Sequence, residues 1–136
     1  MAATTEYPLA TVGRFTQAIA GEKFDDARAL LHHDFVVYEA GGLPYSGEYR
    51  GPDGFFELFG KMNQVMELTP GEAVQYLLAG DAVAIQGRLK FTSRASGKSV
   101  EMSLVEIYTV RDGLIVELDV YYKDPSAVAA LLAVER

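Results

Sequence analysis

The sequence predicts an α+β fold, a mainly antiparallel sheet curved around N-terminal helices. Three observations carry that prediction. Apolar residues in the first third recur at helical spacing. A succession of long β-rich segments follows. Short turn-forming pairs such as Asp112-Gly113 join those segments. Helices followed by a run of hairpin-joined strands define the α+β class, and a sheet that curls around helices leaves a pocket between them.

Each element has its own signal. Leu9, Val12, Phe15 and Ile19 line one helical face, and Gly21 ends the segment. A second short helix carries Phe24, Ala27, Leu30 and Leu31. The β-rich run Phe35-Val-Val-Tyr-Glu39 reads as a strand. Four glycines and Pro44 between residues 40 and 51 read as a loop. Gly51 caps a helix that opens at Pro52, runs through Phe55, Phe59, Met62 and Met66, and is broken by Pro70-Gly71. Strands follow over Glu72–Ala79, Ala82–Arg94, Ser99–Arg111 and Leu114–Lys123, with turns at Gly80-Asp81, Ala95–Lys98 and Asp112-Gly113. Asp124-Pro125 reads as a cap and first helical residue before Val128, Leu131 and Leu132.

Composition bounds the function. With 136 residues, the chain suits a single domain spanning 1–136 that buries most of its apolar surface in one core. The absence of cysteine excludes disulfides, thiolate metal sites and cysteine nucleophiles. Twelve basic residues against 19 acidic ones give a net charge of −7, which argues against nucleic acid as a partner. No apolar run is long enough to span a bilayer, and Met1–Pro8 lacks the basic start and apolar core of a signal peptide. The expected location is cytoplasmic, with no membrane partner.

Alternation of strand faces then sorts the polar residues. In Ser99–Arg111 the drier face is Val100, Met102, Leu104, Glu106, Tyr108 and Val110, with Glu106 at its centre. Phe35, Val37 and Glu39 share a face, so a second carboxylate ends an apolar stripe. In the last strand the drier face is Val116, Leu118, Val120 and Tyr122. Ile115, Glu117, Asp119 and Tyr121 lie opposite. Val83, Ile85, Leu89 and Phe91 face inward, and Gln86, Arg88, Lys90 and Arg94 outward.

A carboxylate on an apolar face raises its pKa unless it is paired. Two such groups can divide labour, one ionised as a base and one protonated as a hydrogen-bond donor. Proton transfer beside a carbonyl, ring opening and ring closure all use such a pair. The structural alternative stays open: Glu106 satisfied by a buried Arg, Tyr or backbone group, and Glu39 exposed at a strand end. His32 and His33 read as imidazoles complementing a helix end rather than as metal ligands, and the expected metal and cofactor content is none. No phosphate loop or serine nucleophile elbow is present.

The order of two helices, a strand ending in Glu39, Gly-Leu-Pro-Tyr-Ser-Gly-Glu-Tyr-Arg-Gly-Pro (42–52), a helix and a hairpin sheet closing on Arg-Asp-Gly-Leu-Ile (111–115) resembles the SnoaL-like and ketosteroid-isomerase-like proteins. These belong to the nuclear-transport-factor-2-like (cystatin-like) superfamily. The resemblance spans nearly the whole chain. It implies a sheet wrapped into a cone with a hydrophobic pocket, and frequent homodimerisation through the outer sheet face. It also implies a general base at Glu39 and a protonated acid of the oxyanion hole at Glu106. Where the isomerases supply an oxyanion-hole tyrosine from the first helix, this chain has Phe15, which cannot donate. Tyr108 shares the face of Glu106 and is the candidate substitute. The carboxylate of SnoaL-related cyclases falls near Asp119, which alternation points away from the pocket. The last aspartate of the epoxide-hydrolase pattern falls at Val120.

Two functions follow as expectations. One is a small cofactor-free enzyme doing acid–base chemistry on a compact apolar molecule that bears a carbonyl or epoxide. Glu39, Glu106 and Tyr108 would be catalytic, and Phe15, Phe35, Phe55, Phe59, Leu104, Leu118 and Tyr122 would shape the pocket. The other is a non-catalytic dimeric module that binds a small ligand or a partner. Val105, Ile107, Ile115 and Tyr121 are the expected dimer surface.

Overall fold

The structure is a computed structural model describing residues 7–133. The segment read above as lacking signal-peptide character falls largely outside the described residues. Four helices and six strands follow in order: α1 (Pro8–Ala20), α2 (Phe24–Arg28), β1 (Leu31–Glu39), β2 (Gly47–Arg50), α3 (Gly51–Val65), β3 (Met66–Ala79), β4 (Ala82–Ser93), β5 (Ser99–Arg111), β6 (Leu114–Tyr122) and α4 (Pro125–Leu132). One sheet holds all the strands in the order β2-β1-β6-β5-β4-β3. Every neighbouring pair is antiparallel except β1 and β6, which run parallel. The α+β architecture with a curved, unclosed, mainly antiparallel sheet is the one the sequence predicts.

The core lies between the helices and the sheet's inner face. Val12, Phe15 and Ala18 of α1 are buried there with Phe35, Val37, Phe55, Leu58, Phe91, Tyr108 and Leu118. Each large apolar side chain buried in this way contributes on the order of 1.5–3 kcal/mol. Among the described residues, no helix is long and apolar enough to cross a membrane.

Three local features behave as their residues dictate. Asp112 and Gly113 both adopt positive φ (57° and 77°), as a tight two-residue turn requires. Asp124 caps α4 by accepting the Ala127 N–H, with Pro125 in the first helical turn. The inner faces of β4 and β5 pair in register, with Val83 opposite Tyr108, Ile85 opposite Glu106 and Phe91 opposite Val100.

Elsewhere the structure corrects the expectations. The second helix stops at Arg28, and Leu31 opens β1 instead. His32 and His33 therefore sit on a strand, not at a helix end. The loop expected over 40–51 contains β2, whose four residues are too few to show a period. Gly51 is the first residue of α3, capped by extended Arg50, rather than the cap itself.

Pro70-Gly71 does not break α3. The helix ends at Val65 because Arg94 takes its terminal carbonyls, the backbone N–H binding Val65 O at 2.9 Å and Nε binding Asn63 O at 2.7 Å. The chain continues as β3, in which Pro70 pairs with Leu89. The sheet edge tolerates its missing N–H, and register shifts follow it. Ile115 was expected on the outer face but is fully buried. Val116 is an extra residue between the Thr109–Glu117 and Val110–Ile115 pairs, and this bulge turns Ile115 inward.

Candidate active site

The sheet's register assembles one row across its inner face. Glu106 of β5 sits opposite Val120 of β6 on one side and Ile85 of β4 on the other. Ile85 sits opposite Tyr76 of β3. On the far side, Tyr38 pairs with Asp119. One step along, the same register places Glu39 beside Val120. The two carboxylates thus flank a single strand, roughly 10 Å apart at the backbone by strand spacing.

This row is more open than the one beside it. Glu39, Val120, Glu106 and Ile85 are half-buried, and Tyr76 is exposed. In the neighbouring row Leu118, Tyr108 and Val83 are buried. The row thus carries two partly accessible carboxyls, one at Glu39 and one at Glu106.

Glu39 sits where β1 gives way to the Ala40–Ser46 loop. Its Oε1 accepts the Ala40 N–H at 2.8 Å. Burial pushes its pKa up to about 7, which the Ala40 N–H and the neighbouring Tyr122 oppose and the nearby Glu106 carboxyl reinforces. Tyr122 stacks on Phe91 at 5.4 Å, and its hydroxyl lies 2.8 Å from that of Tyr45. Burial raises the pKa of both phenols, so each keeps its hydrogen.

Glu106 has a different environment. Burial raises its pKa, opposed only by the Tyr108 hydroxyl, which donates to Oε1 at 3.3 Å. Burial beside Glu106 also lifts Tyr108 well above its ordinary value. Burial thus raises both carboxyls, opposed at Glu39 by the Ala40 N–H and Tyr122 and at Glu106 by Tyr108.

The other expected residues fall as follows. Phe15 meets Phe55 edge-on at 5.3 Å and Tyr108 at 6.2 Å. Phe35 and Phe59 pack on Phe55, and Leu104 pairs with Tyr122 across β5 and β6. Asp119 points to the outer face, where the Tyr121 hydroxyl donates to it at 3.0 Å. A surface hollow of about 250 Å³ reaches Leu104 and Tyr122, and one of about 330 Å³ lies beside the Asp112-Gly113 turn. Neither is lined by Glu39 or Glu106.

His32, His33 and Asp34 cluster at the opposite end of β1 from Glu39. The two rings stack at 4.4 Å, and the three side chains offer metal-ligating atoms within 4.8 Å of one another. The Asp34 N–H already occupies His32 Nδ1.

Sequence reasoning missed Tyr45, which is 2 % exposed in a segment that looked like a plain loop. An aromatic residue between Pro44 and Gly47 was the only available signal.

Residues 12–118 match the SnoaL-like domain, and the chain belongs to that family. No curated protein matches the chain. Among solved structures it is similar to an NTF2-like protein from Burkholderia xenovorans LB400, with 20 % identity over 97 % of this chain and 100 % of that one (TM-score 0.87). A second NTF2-like protein, from Burkholderia thailandensis E264, is 24 % identical over 96 % of this chain and 100 % of that one (TM-score 0.86). TerC, co-crystallized with polyporic acid, is 20 % identical over 93 % of this chain and 98 % of its own (TM-score 0.78). These likenesses show the cone-shaped NTF2-like fold.

Proposed function

We propose that the protein is a small enzyme that moves protons on a compact, apolar, carbonyl- or epoxide-bearing molecule without a cofactor. The observation that carries this is the placement of Glu39 and Glu106 on either side of Val120 in one row of the inner sheet face, with burial raising Glu39 to about 7. A base with a pKa near the working pH transfers protons most effectively.

For a carbonyl substrate, the Glu39 carboxylate removes a proton from the carbon beside the carbonyl. The C–H electron pair forms a C=C bond, and the carbonyl π pair moves to oxygen. Neutral Glu106 donates a hydrogen bond to that oxyanion, with Tyr108 as auxiliary donor. Glu39 then returns its proton to another carbon. Phe15, Phe35, Phe55, Phe59, Leu104, Leu118 and Tyr122 give the site its apolar wall. That TerC, of similar fold, was co-crystallized with polyporic acid supports a small organic molecule as the ligand.

The test is solvent deuterium exchange. A panel of cyclic enones is incubated with the protein in D₂O, and loss of the proton beside the carbonyl is followed by NMR. Glu39→Gln should slow exchange by ~10²–10⁴-fold while the fold is kept. Exchange that persists in that variant removes Glu39 from the role.

A second reading is a non-catalytic, dimeric small-ligand module. Phe15 favours it, because a phenyl ring stands where a donor would be expected and packs directly on Tyr108. Wild-type protein that binds the enones without exchanging them would establish this reading instead.

A further inference from the structure

We propose that His32, His33 and Asp34 form a site for one divalent late transition-metal ion, of the zinc, copper or nickel class, at the end of β1 remote from Glu39.

Consecutive residues of a regular strand point to opposite faces and cannot share an ion. Here the strand is irregular. Leu31 pairs with Ile115 and Val36 with Glu117, so residues 32–35 stand against Val116 alone. A bulge of this kind re-aims side chains. The His32 and His33 rings stack, 4.4 Å between centroids and 25° between planes. Asp34 Oδ1 lies 3.5 Å from His33 Nε2. Each of the three side chains thereby offers a ligand atom within 4.8 Å of the others. On a bulged strand the imidazoles have no helix end to complement.

Donor atoms on one zinc ion lie about 3.5 Å apart, so the set contracts by roughly 1 Å on binding. Exposure allows this. The side chains of His33 and Asp34 are 83 % and 67 % exposed. Rotation of His33 out of the stack lets the lone pairs converge on one point.

The Asp34 backbone prepares His32. Its N–H donates to His32 Nδ1 at 3.0 Å. A ring nitrogen that accepts carries no hydrogen, so Nδ1 keeps a lone pair that a metal can take in the amide's place. The bond is exposed, and water then serves the amide. His32 ligates through Nδ1, His33 through Nε2 and Asp34 through one carboxylate oxygen, with water in the fourth position. Two imidazoles and a carboxylate suit zinc, copper and nickel, whereas magnesium and calcium take oxygen shells. A bound ion pins the bulge, a structural role that does not depend on the proton chemistry proposed for Glu39.

The experiment titrates Zn²⁺ into the whole chain at neutral pH, followed by calorimetry and by NMR of the amides and histidine rings. Binding should saturate at one equivalent with micromolar affinity. The ring protons of both histidines should move. The Asp34 amide proton should move with them, because it loses its acceptor. H33A and D34N, which change exposed side chains, should each weaken binding by about 10–100-fold or more with circular dichroism unchanged. Mg²⁺ should move none of these resonances. The absence of saturable zinc binding overturns the proposal, as does zinc affinity that survives in both variants. An Asp34 amide that stays still as zinc binds overturns it too. Mg²⁺ that moves the same resonances would show only cation attraction to an acidic chain, and would equally overturn it.

Discussion

At the scale of single residues, the burial of Glu39 sets a pH dependence whose sign is fixed. Its pKa rises from 4.5 to about 7 on folding, so between those values the folded chain holds a proton that the unfolded chain has lost. Stability is therefore greatest below 4.5 and falls as pH rises through about 7. The shift corresponds to about 3 kcal/mol, and Glu106 adds to it with the same sign. Thermal melts of the wild type should rise as pH is lowered from 8 toward 5 by roughly this amount, and Glu39→Gln should flatten the curve. A wild-type curve that is flat over that range would show both carboxyls solvated. Activity has the opposite trend, since proton abstraction needs the anion that predominates above about 7.

Glu106 gives a second residue-scale expectation. Its Tyr108 partner is neutral, so Glu106→Gln leaves no charge stranded, and the amide retains a donor for an oxyanion. The variant should melt within about 1 kcal/mol of the wild type. A loss of several kcal/mol, measured by urea titration, would instead mark Glu106 as a structural group. Both glutamates were legible because strand alternation exposes a charge on a dry face without any knowledge of partners. Tyr45 was not legible, because its burial depends on a fold of the Ala40–Ser46 loop that no periodicity records.

At the scale of elements, the legible boundaries are those written in local chemistry. The Asp112-Gly113 turn and the Asp124 cap satisfy backbone needs with adjacent residues, and both stand where the sequence puts them. The end of α3 is different. Arg94 satisfies it from 29 residues beyond Val65, so Pro70-Gly71 was a false stop signal. Ile115 turned inward for a similar reason, since the bulge at Val116 is a property of pairing with β5. Packing of α3 on β2 shows the same dependence on distant contacts. A Cβ on Gly54 would lie 2.8 Å from the Tyr49 carbonyl carbon. Alanine at this helical position would favour the helix by about 1 kcal/mol, but the neighbour is backbone and cannot swing aside. The clash costs about 1–3 kcal/mol, so Gly54→Ala should destabilise the protein in denaturant titration despite its better helix propensity.

At the scale of the whole molecule, the outer sheet face presents a central apolar strip that the core leaves unused. Val105 lies between Gln86 and Tyr121, and Ile107 between Ala84 and Asp119. Ile115, once included in this surface, is excluded by its burial. Asp119, a carboxylate beside the strip, is already hydrogen-bonded by Tyr121, whose ring is 54 % exposed. That bond lowers the cost of covering Asp119, because a buried anion needs a donor. A two-fold contact repeats each residue against its partner, so the strip would meet itself and leave Arg88 and Glu101, paired at 3.3 Å, toward the rim. We propose a homodimer through this face, covering about 1,200–2,000 Å² in all if it is stable. Sedimentation equilibrium should then give twice the 14.8 kDa chain mass. Ile107→Asp would place a new, unpaired anion at the strip's centre in each subunit and should return the chain to a monomer with its circular dichroism unchanged. A wild-type chain that sediments as a monomer at micromolar concentration would remove the dimer, and a dimer that survives Ile107→Asp would move the contact to another face.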